Sequence, residues 1–229
     1  MTKISIDGIP SFIWGEKSDK VFIAVHGKKS SKEDFTDFAS IAVSKGYQVL
    51  SFDLPEHGER KNQGYKCNPW NSANDLRKIM GFARHRWLGI SLYAVSIGAY
   101  FSMLACKEEK LKKCLFLSPV LDMAHLIENM MKWSGVDAAT LKAKEEIPTS
   151  FGEALSWEYY NYVKQHNIEN WNIPTEILYG SKDNLTDGET VKKFITRFNC
   201  GLTVMQGGEH WFHTDEQLDF LRKWLEQNI

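Results

Sequence analysis

The stretch Tyr93-Ala94-Val95-Ser96-Ile97-Gly98-Ala99 decides how this chain is read. It sits inside a longer segment, Trp87 to Cys106, that carries no charged residue. Such a length invites a transmembrane reading. That reading fails because Gly89, Ser91, Ser96, Gly98 and Ser102 interrupt the segment, and its β-rich first half changes character at Ser96. The pattern predicts a buried strand, Ile90 to Val95, running directly into a buried helix, Ile97 to Cys106. A serine on so tight a turn is held in strained backbone geometry, and small neighbours, here Ala94 and Gly98, keep side chains from colliding with it. Ser96 is therefore either an exposed nucleophile or simply the cap of the following helix.

Working outward, strands and helices alternate. Val21 to Val25 is a short continuous apolar run, the mark of a strand covered on both faces. Phe35, Phe38, Ala39, Ala42 and Val43 then recur at helical spacing, with Ser30 or Ser31 as N-cap and Gly46 just past the end. Gln48 to Phe52 is the next strand, and Leu76, Ile79, Met80 and Ala83 form a helical stripe after a capping pair expected at Ser72 and Asp75. Beyond the central segment come strand Lys113 to Leu117, strand Glu176 to Tyr179, and a helix carrying Val191, Phe194, Ile195 and Phe198. Strand Leu202 to Met205 and a last helix with Leu218, Leu221 and Leu225 follow, the helix opened by a Thr214/Gln217 capping box. This alternation predicts a mostly parallel, doubly wound α/β sheet in a single domain spanning 1–229.

Two regions depart from the alternation. Residues 1 to 15 read as an antiparallel strand pair around the Asp7-Gly8 turn signal. Residues 121–172 hold Met123, Leu126, Met130, Met131, Trp133, Leu155, Trp157, Tyr159, Tyr160, Tyr162 and Trp171, mostly in helical context and with no β period. They are too long for a simple crossover and are expected to form an inserted helical lid, with Trp133, Trp157 and Tyr160 as candidates to line an apolar substrate pocket. Packing onto the main core is the alternative role for the same side chains.

Composition narrows the function. The 28 Lys and Arg nearly balance 29 Asp and Glu, leaving a net charge of −1, so no basic face dense enough for nucleic acid is expected. Hydrophobic residues at 43% and charged residues at 25% describe a folded domain rather than a disordered one. The four cysteines, Cys67, Cys106, Cys114 and Cys200, show neither C-x-x-C pairing nor zinc-site spacing. With no apolar leader at Met1 to Asp7, they suggest a cytoplasmic, reducing setting without membrane insertion. Neither a metal nor an organic cofactor is implied, and the expected partner is a small-molecule substrate. Asp53, Glu56 and His57 could be imagined as metal ligands, but beside Pro55 and Gly58 they read more simply as residues that fix the backbone.

A serine hydroxyl attacks only when a base removes its proton, and that base needs an orienting acid. Leu178-Tyr179-Gly180-Ser181-Lys182-Asp183 sets an acid in the loop after one strand, and Gly207-Gly208-Glu209-His210 sets a histidine after the next. Both loops open on the same edge of a parallel sheet as Ser96, so Ser96, Asp183 and His210 are the candidate catalytic set. Asp187 and Asp122 are rival acids, and His213 is the rival histidine.

His26-Gly27, the loop Asp53-Leu54-Pro55-Glu56-His57-Gly58, the Ser96 turn, Gly180 to Asp183 and Gly208-Glu209-His210 together resemble the α/β-hydrolase superfamily. They look most like its small, lid-bearing carboxylesterase, lysophospholipase and serine-aminopeptidase-like members. The resemblance runs from about Ile4 to the final helix. It implies cleavage of a carboxylic ester or thioester through an acyl-enzyme on Ser96, with His210 as base, Asp183 as its partner, and the backbone N–H groups of Lys28 and Ile97 as the oxyanion hole. Peptidase, C–C hydrolase and haloperoxidase chemistries share that arrangement, and a non-catalytic small-molecule binder shares the fold. This chain departs from the family pattern in having Ala94 for the first glycine of the serine turn, Glu56 where glycine is frequent, and Lys28-Lys29 after His26-Gly27.

Overall fold

The computed structural model describes residues 1–229. Strands β1 (Thr2–Ile6) and β2 (Ile9–Trp14) pair antiparallel across Asp7 and Gly8, whose φ values of 48° and 81° suit a tight hairpin turn. There follow β3 (Lys20–Val25), α1 (Thr36–Ser44), β4 (Gln48–Phe52), α2 (Pro69–Arg84), β5 (Gly89–Val95), α3 (Ile97–Cys106) and β6 (Cys114–Leu117). The chain continues through α4 (Met123–Trp133), α5 (Ala138–Lys144), β7 (Glu146–Pro148), β8 (Ala154–Ser156) and α6 (Trp157–Gln165). It closes with β9 (Thr175–Gly180), α7 (Gly188–Phe198), β10 (Gly201–Met205) and α8 (Asp215–Asn228). No helix is long and apolar enough to cross a membrane.

Contacts divide the chain into two units, Met1–Leu121 with Asn170–Ile229, and Asp122–Glu169. The first holds an eight-stranded sheet in the order β1-β2-β4-β3-β5-β6-β9-β10. Pairing is antiparallel from β1 through β2 to β4 and parallel from β4 to β10. From β3 through α1 to β4 the chain steps one way; from β4 through α2 to β5, and on through α3 to β6, it steps the other. Parallel crossovers are right-handed, so α1 lies on one face and α2 and α3 on the opposite face. Phe22, Ala24, Val49, Tyr93, Leu115 and Leu178 project toward α1 and α8, where Phe38, Ala42, Trp224 and Leu225 meet them. The alternating positions Ile23, Val25, Leu92 and Ala94 are equally inaccessible on the other side. Coverage of both faces is why these strands read as unbroken apolar runs. The reversal of direction at β3 leaves a crevice beyond the carboxyl ends of β3 and β5, the place where open α/β sheets take their ligands.

Local signals differ from expectation at three helix starts. Asn68, not Ser72 with Asp75, caps α2: its side chain accepts from Asn71 N–H, with Pro69 in the first helical position. Ser72 and Asp75 lie one turn further in and are buried, Asp75 accepting a 2.7 Å hydrogen bond from Arg60. The first predicted helix opens as a 3₁₀ turn, Lys32–Phe35, before α1 begins. Thr214 caps α8 as expected, but the Gln217 carbonyl reaches past it to accept from His213 N–H.

The second unit is not purely helical. The expectation of helices without β structure across 121–172 is corrected by the β7–β8 hairpin, paired with Ile147 opposite Leu155. Strands of three residues are too short to display a period-2 pattern. Helices α4, α5 and α6 are capped by Asp122, Asp137 and Ser156. Trp171, grouped with this region by sequence, belongs to the first unit, buried with its ring 5.9 Å from Phe116 and its indole N–H donating to Thr175.

Candidate active site

Ser96 links β5 to α3 with φ 53° and ψ −120°, a conformation that L-residues rarely adopt. Such strain costs on the order of 1–3 kcal/mol and persists only where the surroundings enforce it. Here Ser96 N–H donates to Leu117, and its carbonyl accepts from both Ala99 and Val120. A side chain on Gly98 would place Cβ 2.5 Å from the His26 carbonyl oxygen and 2.6 Å from that of Val25. Only glycine lets α3 start this close to the end of β3. On the β3 side, a Cβ on Gly27 would lie 3.2 Å from the Ser96 Cβ, so the His26-Gly27-Lys28 loop runs beside the serine.

The acid and histidine loops are joined by the same device. A Cβ on Gly180 would lie 2.5 Å from the Gly208 carbonyl, so backbone meets backbone there. Lys182 N–H donates to the Gly208 carbonyl, Ser181 N–H to that of Met205, and Gly207 N–H to the Ser181 hydroxyl. The result brings His210 Nδ1 within 2.7 Å of Asp183 Oδ2 and His210 Nε2 within 2.8 Å of Ser96 Oγ. The Asp183 carboxylate is fully buried, and its Oδ1 accepts from Leu185 and Thr186 N–H. Thr186 is itself anchored, its hydroxyl donating to Pro119 and its carbonyl accepting from Tyr179. A carboxylate only accepts, so Nδ1 carries the proton. The neutral ring then has its free lone pair on Nε2, and the Ser96 hydroxyl donates to it.

The oxygens of Asp183 and Ser96 have distinct partners. Asp183 is a turn residue through one oxygen and the partner of His210 through the other. Ser96 occupies the cap position of α3, but its side chain caps nothing and points to His210. Of the rival acids, Asp187 caps α7 and Asp122 caps α4. His213 is turned into a separate cluster, its ring stacked on Trp211 and its Nδ1 near the Trp211 carbonyl and the Glu209 carboxylate.

Lys28 lies in the loop beside Ser96, and Ile97 is the first residue of α3. Of the imagined metal ligands, Asp53 is fully buried and spends its oxygens on the Lys32 backbone and ammonium and on Glu59 N–H. Glu56 accepts from Cys67 N–H, and both His57 ring nitrogens hold backbone groups. Trp133, Trp157 and Tyr160 lie in the second unit. Trp133 is half-exposed with its ring edge-on to Phe151, Trp157 is tilted against Tyr160, and the Tyr160 hydroxyl donates to Glu128. Two open concavities of about 350 and 380 Å³ flank β1, lined in part by Ser5 and Phe82, and hold no serine–histidine pair.

The sheet order, the strained serine turn and the serine, aspartate and histidine on the loops after β5, β9 and β10 define the architecture of an α/β hydrolase. The family model described as serine aminopeptidase, S33, matches residues 16–152, more than half the chain, and the chain belongs to that α/β-hydrolase family. Among solved structures it is similar to Est1E from Butyrivibrio proteoclasticus with ferulic acid bound, at TM-score 0.79 and 18% identity over 100% of this chain and 97% of that one. It is similar too to the esterase Pf2001 of Pyrococcus furiosus, at TM-score 0.69 and 21% identity over 99% and 88% of the two chains. A third likeness is the monoacylglycerol lipase of Paleococcus ferrophilus, at TM-score 0.68 and 16% identity over 96% and 99%. No curated protein matches the chain significantly.

Proposed function

We propose that the protein is a serine hydrolase cleaving a carboxylic ester or thioester of a small, partly apolar substrate. The observation that carries this reading is the unbroken run from the Asp183 carboxylate through His210 to the Ser96 hydroxyl, at 2.7 and 2.8 Å, on a turn strained to present that hydroxyl. Ser96 Oγ attacks the acyl carbon while His210 Nε2 takes its proton. Asp183 holds the imidazole tautomer and stabilises the imidazolium that forms. Negative charge on the former carbonyl oxygen is met by the N–H groups of Lys28 and Ile97. His210 returns the proton to the departing alcohol or thiol, leaving acyl-Ser96. Water then attacks the acyl carbon with His210 again as base, releasing the acid and restoring the hydroxyl. No cofactor is required. The free cysteines fit a reducing, cytoplasmic setting.

The test is a panel of p-nitrophenyl esters of graded chain length, a thioester and an aminoacyl amide. The amide belongs there because the family is described as serine aminopeptidase. Turnover of the esters or the thioester that disappears in Ser96→Ala supports the reading. Hydrolysis confined to the amide moves the reaction to peptide-bond cleavage on the same residues. Activity that survives in Ser96→Ala removes Ser96 from the chemistry.

A further inference from the structure

Two buried histidines outside the set Ser96, His210 and Asp183 make a crossed pair. His26 lies in the loop after β3 and His57 in the loop after β4, 1% and 5% exposed, with ring centroids 5.1 Å apart. His26 Nε2 accepts from Leu54 N–H at 3.0 Å, and His57 Nε2 accepts from Lys29 N–H at 3.1 Å. Each ring thus holds a backbone N–H of the other ring's loop. An amide N–H can only donate, so both Nε2 atoms carry a lone pair and both protons sit on Nδ1. From there His26 donates to the Gly27 carbonyl and His57 to the Pro55 carbonyl, each at 2.7 Å.

The placement matters because of what the gripped peptides carry. The 27–28 peptide is planar and trans, so its C=O and N–H point in opposite directions. By holding the Gly27 oxygen, His26 sets the direction of the Lys28 N–H, in the loop that passes beside Ser96. His57 holds the N–H of the next peptide, where Lys29 adopts a left-handed φ of 63° that a non-glycine residue keeps only under constraint.

We propose that His26 and His57 are positioning residues which, as a neutral, reciprocally bonded pair, lock the Lys28 N–H in the orientation that receives the developing oxyanion. This inference rests on the proposed role of Lys28. The pair needs both rings neutral, since a proton on either Nε2 would face a backbone N–H with a second donor. Burial enforces that state: it drives His26 down to about 4 and lowers His57, against the opposing carbonyls of Gly27 and Pro55. The titratable and charged groups facing the rings are His57, which opposes a proton, with Asp53 and Asp34 at His26, and Lys28, Glu56 and Asp53 at His57. The carboxylates favour protonation and Lys28 opposes it, so the pair is latched at neutral pH and opens in acid.

The test combines kinetics with spectroscopy. His57→Leu removes the acceptor for Lys29, and His57→Gln returns one near the Nε2 position. Loss of a whole oxyanion donor costs about 100- to 1,000-fold in kcat. A donor displaced rather than deleted should cost about ten- to a hundredfold in kcat with KM little changed, and His57→Gln should recover part of it. Unchanged kcat in a folded His57→Leu overturns the proposal. Long-range ¹⁵N–¹H correlation on the wild-type protein, assigned by loss of signals in the variants, gives a second readout that needs no active variant. Nδ1–H tautomers for His26 and His57 at neutral pH are expected, and an Nε2–H tautomer on either ring overturns the latch. If both rings show the Nδ1–H form and the wild type hydrolyses no acyl substrate, the hydrolase reading falls, and with it the catalytic consequence of the latch.

Discussion

Gly98→Ala should be among the most damaging small substitutions in this chain. Its added carbon would sit 2.5 and 2.6 Å from two backbone carbonyl oxygens, where tight contacts begin at 3.0 Å and ordinary ones at 3.4 Å. The start of α3 and the end of β3 would have to part by about 0.5–0.9 Å, and no rotamer change can relieve a clash with backbone. Overpacking costs typically about 1–3 kcal/mol, and the absence of a yielding side chain points to the upper end. About 3 kcal/mol corresponds to a drop of about 6–12 °C in Tm for a chain of this length. The same displacement separates Ser96 from the Gly27–Lys28 loop, so ester turnover should fall as well. Gly81, inside α2 with nothing within 4 Å of an added Cβ, is the matched control. Alanine there should stabilise by about 0.5–1 kcal/mol through helix propensity and a less flexible unfolded chain. Thermal unfolding by circular dichroism, with kcat on one p-nitrophenyl ester, reads both. A Gly98→Ala protein that melts with the wild type and turns over at its rate would refute the close-approach argument.

Three further outcomes are expected. Folded His26 stays neutral down to about pH 4, whereas an unfolded histidine titrates near 6.5, so between these values only the unfolded chain takes the proton. Stability is therefore fully present above pH 6.5 and declines by about 3 kcal/mol as pH falls to 4; melts of wild type and His26→Asn across this range should diverge, and parallel curves would count against it. Asp183→Asn should leave the melt nearly unchanged and lower kcat by about three to four orders of magnitude, because an amide can present a donor to Nδ1 and impose the wrong tautomer; retained activity would dismiss Asp183. Asn68→Ala should cost about 1 kcal/mol with no effect on KM, whereas Ser72→Ala should not act as a cap deletion, and guanidinium titrations of the two variants decide the point.

What the sequence made legible was what local pattern controls. Continuous apolar runs bounded by helical stripes give the parallel sheet, and the uncharged segment through Ser96 gives the strand-to-helix turn. Asp183 and His210 stood out because each follows a strand, so topology carried them to one edge. Single residues were harder where the competing signals are chemically alike. Asn68 and Ser72 are both capping types, and only the register of α2 shows that Ser72 faces inward. The β7–β8 hairpin leaves no sequence signature because three residues cannot display alternation. The crossed bonds of His26 and His57 join loops whose histidines stand thirty-one positions apart. No periodicity encodes such a pairing, although His57 beside Pro55 and Gly58 is recognisable as a backbone-fixing residue. Gly98 reads as a small neighbour of Ser96 in sequence, and the carbonyl contacts of Gly98 and Gly180 appear only once the strands are adjacent.

The central claim is that Ser96 is an activated nucleophile rather than a helix-capping hydroxyl. A fluorophosphonate probe followed by peptide mapping tests it most directly. Covalent modification should fall on Ser96, vanish in Ser96→Ala and drop sharply in a folded His210→Ala. Wild-type protein that stays folded yet takes up no probe, or takes it up on another residue, would contradict the account.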